Sequence, residues 1–171
     1  MKKTKKTTKI NIEPKIADAE KKIEEVTGLN LNNIESKMQA FFNKNIPSLP
    51  QKGVDLIVKI APYLAVISVI AGVPALMALL QLGKYSTIYR MAGVGLGWTY
   101  QLTNILLVIQ LVLTALSIQG LFAKKLSAWK LMYYSAWISA LSGLFSGGLI
   151  SMLIGGFISF YILFQVKSSY K

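Results

Sequence analysis

Residues 131–166 read LMYYSAWISALSGLFSGGLISMLIGGFISFYILFQV, 36 consecutive positions without a charged side chain. No other feature constrains the fold as much, because this run is too apolar for water and too long for one membrane crossing. As a single straight helix it would extend about 54 Å, against a hydrocarbon core of about 30 Å. The densest helix-breaking cluster, Ser142-Gly143 to Ser146-Gly147-Gly148, divides the region into spans over about 126–145 and 149–166, joined by a tight hairpin. Two further uncharged runs, Ile60 to Gly83 and Met91 to Ala123, supply spans over about 60–83 and 98–122. The glycine-rich AGVGLGW that opens the second run reads as an interfacial loop, with Trp98 and Tyr100 at the level of an aromatic belt. The expected architecture is all-α: an integral membrane four-helix bundle over residues 51–171, preceded by a basic cytoplasmic or interfacial segment over residues 1–50 with one or two amphipathic helices.

Charge is segregated along the chain. The 171 residues are 53% hydrophobic yet carry a net charge of +12, and all seven carboxylates lie at or before Asp55. Lys37, Lys44, Lys52, Lys59, Lys124, Lys125, Lys130, Lys167 and Lys171 gather at one end of the four expected spans, against Lys84 and Arg90 at the other. By the excess of basic residues in cytoplasmic loops, both ends of the chain are expected in the cytoplasm and the protein in the cell membrane as a multi-pass protein. The basic start MKKTKKTTK is not followed by a hydrophobic stretch with a cleavage site, so the first span is expected to act as its own insertion signal. The lysine run MKKTKKTTK reads as an anionic-lipid contact, each lysine near the surface contributing about 1 kcal/mol, and Lys124, Lys125, Lys130 and Lys167 are further expected contacts for anionic lipids on the cytoplasmic face.

Within the first 50 residues, Pro14 opens an expected helix with an apolar side of Ile16, Ala19, Ile23 and Val26, which Gly28 to Asn30 stop. A second helix is expected from Asn32 as N-cap, with Glu35 in a capping-box arrangement and Ile34, Met38, Phe41 and Phe42 on one face, until Pro47 and Pro50 end it. The pair reads as amphipathic and lying on the inner leaflet. Nucleic acid is not an expected partner, since no aromatic residues interleave the lysines.

Enzymatic chemistry finds little to work with. From residue 56 onward there is no Asp, Glu, His or Cys, which removes the usual metal ligands and every general base but lysine; no catalytic, cofactor or metal site is expected. The Gly93, Gly95, Gly97 spacing lacks the strand, the Lys-Ser/Thr ending and the acid of a nucleotide loop. Proton-coupled transport meets the same shortage of intramembrane acids. The candidate polar path is Thr103, Gln110, Thr114 and Ser117, within a narrow arc of the second span; hydrogen bonding between helices is the plainer reading and a pore lining the sharper one. Ser135, Ser139, Gly143, Gly147, Ser151, Gly155 and Ser159 form seven small residues at a spacing of four, read as a helix-packing seam within the chain or between subunits of a homo-oligomer or with another membrane protein. Pro62, Gly72 and Pro74 predict a kinked or interrupted first span.

The stretches LFAKKLSAWKLMYYSA and IGGFISFYILFQVKSSYK resemble the C-terminal portion of small bacterial multi-spanning (four-helix) membrane proteins, over roughly residues 52–171. The resemblance implies a membrane location and no activity, ligand or catalytic residue. The expected role is non-enzymatic: a membrane-embedded scaffold or accessory subunit that binds lipid or a partner through its N-terminal segment. The alternative is a small oligomeric channel or permease lined by the polar path.

Overall fold

The computed structural model describes residues 12–91 and 97–171, with side chains described outside 79–100, 146–148 and 151. The lysine run 1–9 and most of the glycine loop 92–98 therefore lie outside the described residues. Every described element is helical: α1 (Glu13–Thr27), α2 (Leu31–Asn45), α3 (Gln51–Met91), α4 (Gly97–Phe122) and α5 (Leu126–Val166), followed by a 3-10 turn at Lys167–Ser169. The chain divides after Phe41 into two compact units.

In the first unit, Pro14 occupies the opening turn of α1, and Gly28 closes the helix in the left-handed conformation (φ 67°) with its N–H donating to Glu24 O at 2.8 Å. The start of α2 differs from expectation. Asn30, not Asn32, is the cap: its Oδ1 accepts from Asn33 N at 2.9 Å, and its Nδ2 donates to Glu24 Oε1 at 2.8 Å. The left-handed turn at Gly28 brings Asn30 back over the end of α1, so its carboxamide serves both helices and Glu35 falls outside the capping position. On α1, Ile16 is buried, whereas Ile23 and Val26 are exposed.

The second unit begins at Phe42, which stacks on Phe164 at a ring distance of 5.5 Å and meets the tilted ring of Phe157 at 5.3 Å. The following connection is pinned to α5 by Gln165 Oε1, which accepts from Leu49 N at 3.1 Å, and by Tyr161, whose hydroxyl donates to Pro47 O at 3.0 Å. Helix α3 then starts directly after Pro50, earlier than the expected residue 60, because Lys52, Asp55 and Lys59 are all exposed and can extend the helix beyond the apolar layer. It continues through Pro62 and Pro74 without interruption.

Helix α5 is helical over all 41 of its residues, yet it cannot be straight. Trp129 Nε1 donates to Leu163 O at 2.8 Å, although 34 residues of straight helix would separate them by about 51 Å. Leu126 N donates to Lys171 O and Lys171 N to Lys124 O, both at 2.9 Å. A Cβ built on Gly156 would stand 3.4 Å from Ala140 Cβ. The chain therefore reverses between Ala140 and Gly156, and α5 consists of two antiparallel arms. Tyr133 and Trp137 of the first arm meet Phe160 of the second at 5.8 and 5.0 Å, and Trp129 and Tyr133 meet Phe164 at 5.9 Å. Trp129 and Tyr133, 1% and 2% exposed, form the center of this aromatic core.

Helix α4 packs between α3 and α5. Leu111 Cδ1 lies against Gly72, Tyr63 meets Phe122 edge-on at 5.3 Å, and a Cβ on Gly120 would stand 2.6 Å from Ala128 Cβ. Among the described residues, three helical stretches are long and apolar enough to cross a membrane: Gln51–Ala78, Gln101–Phe122 and Met152–Ser169. The first arm of α5, with Lys130, two tyrosines, two tryptophans and its serines, is more polar than these. Ile67, Ile70, Met77, Ile105, Leu149, Ile150 and Leu153 all point outward and are more than half exposed, an arrangement that lipid satisfies and water does not. The fold is that of a helical membrane protein.

Candidate functional site

A cavity of about 540 Å³ lies between α3, α4 and the two arms of α5. One face of α3 supplies Leu56, Ile60, Leu64 and Ser68, at the spacing of four that keeps side chains on one side of a helix. Helix α4 supplies Gln110, Thr114 and Leu121; the first arm supplies Trp129, Ser135 and Ser139, and the second Ser159, Val166 and, beyond its end, Tyr170. The lining carries hydroxyls, one carboxamide and one indole, with no carboxylate, imidazole, thiol or ammonium.

The cavity brings together residues that belonged to two separate sequence patterns. Gln110 and Thr114 of the polar path face Ser135, Ser139 and Ser159 of the small-residue pattern. Thr114 Oγ1 donates to Gln110 O at 2.8 Å and lies 3.4 Å from Ser135 Oγ. Ser117 is fully buried, its Oγ 2.7 Å from Thr114 O and 3.3 Å from Met132 Sδ. Three of these hydroxyls thus fasten α4 to the first arm of α5. Thr103, half-buried a turn and more toward the start of α4, is outside the lining, as is the half-buried Gly143. The side chains of Gly147 and Ser151 lie outside the described residues.

Among the described residues, a side chain at Gly155 would meet nothing within 4 Å, whereas the neighboring Gly156 is the residue that approaches Ala140. The reason is geometric: a spacing of four overshoots the helical repeat by about 40° per step, so a long small-residue row winds away from any single partner helix. Among the described residues, helices approach closely at Gly72, Gly120 and Gly156.

The lysine end of the cavity is built by a helix stop and a clasp. Helix α4 ends in a Schellman motif: Lys125 N donates to Gly120 O at 2.8 Å and Lys124 N to Leu121 O at 3.1 Å, with Lys124 left-handed at φ 51°. The paired backbones of Lys124, Leu126 and Lys171 hold Tyr170 against this turn. Burial pushes the Tyr170 hydroxyl above the usual phenol range, so it stays neutral. Lys167 Nζ sits 5.1 Å from the center of the Trp129 ring, and Lys124 and Lys125 are exposed at the turn between α4 and α5. Lys130 is half-buried on the first arm.

The aromatic core was the main feature the sequence reading missed. Its signal was present: Trp129, Tyr133 and Trp137 at a spacing of four before the glycine cluster, and Phe160 and Phe164 at the same spacing after it. Comparison with family models, curated proteins and solved structures finds no match.

Proposed function

We propose that this chain is a non-enzymatic multi-pass protein of the cell membrane, crossing four times with both ends in the cytoplasm, and that it works as a membrane-embedded scaffold or accessory subunit binding lipid or a partner through its N-terminal segment. The observation that carries this reading is the use made of the polar path: Thr114 and Ser117 are bonded to α4's own carbonyls and to the first arm of α5, as hydroxyls that pack helices together are. The exposed Ile23 and Val26 on α1 fit a helix that rests an apolar side on a surface.

The absence of native cysteine makes the orientation testable. Single variants Thr7→Cys, Ser86→Cys and Ser168→Cys are exposed on intact cells to an impermeant thiol reagent. Only Ser86→Cys is expected to react; labeling of either of the other two overturns the cytoplasmic placement of the ends.

Gln110 favors a second reading. It is half-buried on the cavity wall, so an oligomer that wets this wall would form a small channel or permease. Under the packing reading, Gln110→Leu costs about 1 kcal/mol and the reconstituted protein conducts no ions before or after the change. Conductance in the parent that disappears in a folded Gln110→Leu protein would establish the channel.

A further inference from the structure

We infer that the cavity holds one acyl chain of an anionic phospholipid from the leaflet on the lysine-rich side, with the phosphate at the turn formed by Lys124 and Lys125. This rests on the membrane reading above and extends it to a specific ligand site.

Depth is the first argument. From Leu56 to Ser68 on α3 the lining covers about 18 Å, and from Gln110 to Leu121 on α4 about 16 Å, the thickness of one leaflet of a hydrocarbon core about 30 Å across. The cavity runs from the lysine end inward over that distance. Its volume of about 540 Å³ falls in the range of small-molecule sites.

The lining and the access match a chain rather than a polar solute. Leu56 and Leu64 are each 56% exposed while lining the cavity, so its α3 side opens toward the bilayer. Thr114 and Ser135, the two buried hydroxyls in the wall, lie 3.4 Å apart and Thr114 donates to Gln110 O, so an alkyl chain beside them leaves neither hydroxyl without a partner.

Charge selects the head group. No Asp or Glu occurs beyond Asp55, and the clasp between Lys171 and Lys124 draws three lysines, Lys124, Lys125 and Lys171, to the mouth beside Tyr170. Lys124 adds an independent sign. Its left-handed backbone favors glycine at that point of a Schellman stop, and a lysine there retains an ammonium at a conformational cost.

Trp129 provides the readout, because it lines the cavity and is only 1% exposed. A full-length Trp98→Phe/Trp137→Phe protein, with Trp129 as its sole tryptophan, is reconstituted in phosphatidylcholine vesicles containing a small fraction of phospholipid brominated near the head-group end of one chain. Brominated phosphatidylglycerol is expected to quench Trp129 several-fold more than brominated phosphatidylcholine at the same fraction, and to saturate. Ala61→Phe, which fills the cavity from α3, is expected to abolish the quenching by both lipids. Lys124→Gly, which suits the backbone and removes the charge, is expected to erase the preference for phosphatidylglycerol while the fold is retained. Equal quenching by the two lipids, no quenching by either, or a preference unchanged in both variants overturns the inference. Alkaline carbonate extraction separates the two levels of failure: a protein stripped from the membrane overturns the membrane reading and this one together, whereas a protein that stays with Trp129 unquenched overturns this one alone.

Discussion

Replacing Trp129 with alanine is expected to destabilize the second unit by about 3–5 kcal/mol, the usual cost of removing a buried tryptophan. The indole is nearly fully buried, stacks on Tyr133 at 5.5 Å, meets Phe164, and carries Lys167 over its ring. It also donates to Leu163 O, so one side chain joins the two arms of α5 by area, by ring contact and by hydrogen bond. Trp129→Phe keeps most of the ring contacts and loses the donor, with an expected cost of about 1–2 kcal/mol that includes an unsatisfied carbonyl. The measurement is folded fraction in detergent micelles as denaturant rises, with Leu153→Ala as an outward-facing control at 63% exposure. If Trp129→Ala is no worse than Leu153→Ala, the aromatic contacts do not hold the arms together.

Apolar length was the most legible feature, because a membrane imposes its thickness on any helix that crosses it. The reading from uncharged runs placed a helix near 98–122, and α4 spans Gly97–Phe122. What a helix faces was less legible. The polar residues of α4 were visible as an arc, but their partner Ser135 belonged to a different pattern, and only the fold brings Thr114 and Ser135 together. The cavity could not be read at all: its wall takes one face of each of four helical segments, and no single-helix periodicity shows which faces converge. Lys124 is the reverse case. As a lysine in a basic loop it read simply as a lipid contact, and its left-handed backbone became evident only from the Schellman stop.

The small-residue row leads to a prediction that separates two kinds of glycine. Gly120→Leu is expected to cost about 3 kcal/mol, at the upper end of overpacking, because even a Cβ there would stand 2.6 Å from Ala128 Cβ and 3.5 Å from its Cα. Relief by movement is blocked on both sides: Gly120 O is tied to Lys125 N within the Schellman stop, and Ala128 is followed at once by Trp129 in the aromatic core. Gly155→Leu meets open space and removes a glycine from a helix interior, so it is expected to leave stability unchanged or raise it by up to about 1 kcal/mol. Both variants are followed by denaturant midpoint in detergent and by oligomer size on gel filtration. A costly Gly155→Leu that also shifts the protein to a smaller assembly would mean that this face meets a second copy of the chain, since no described residue of the same chain approaches it. A costless Gly120→Leu would be more damaging, because the contact between α4 and the first arm would then be looser than the cavity they enclose requires.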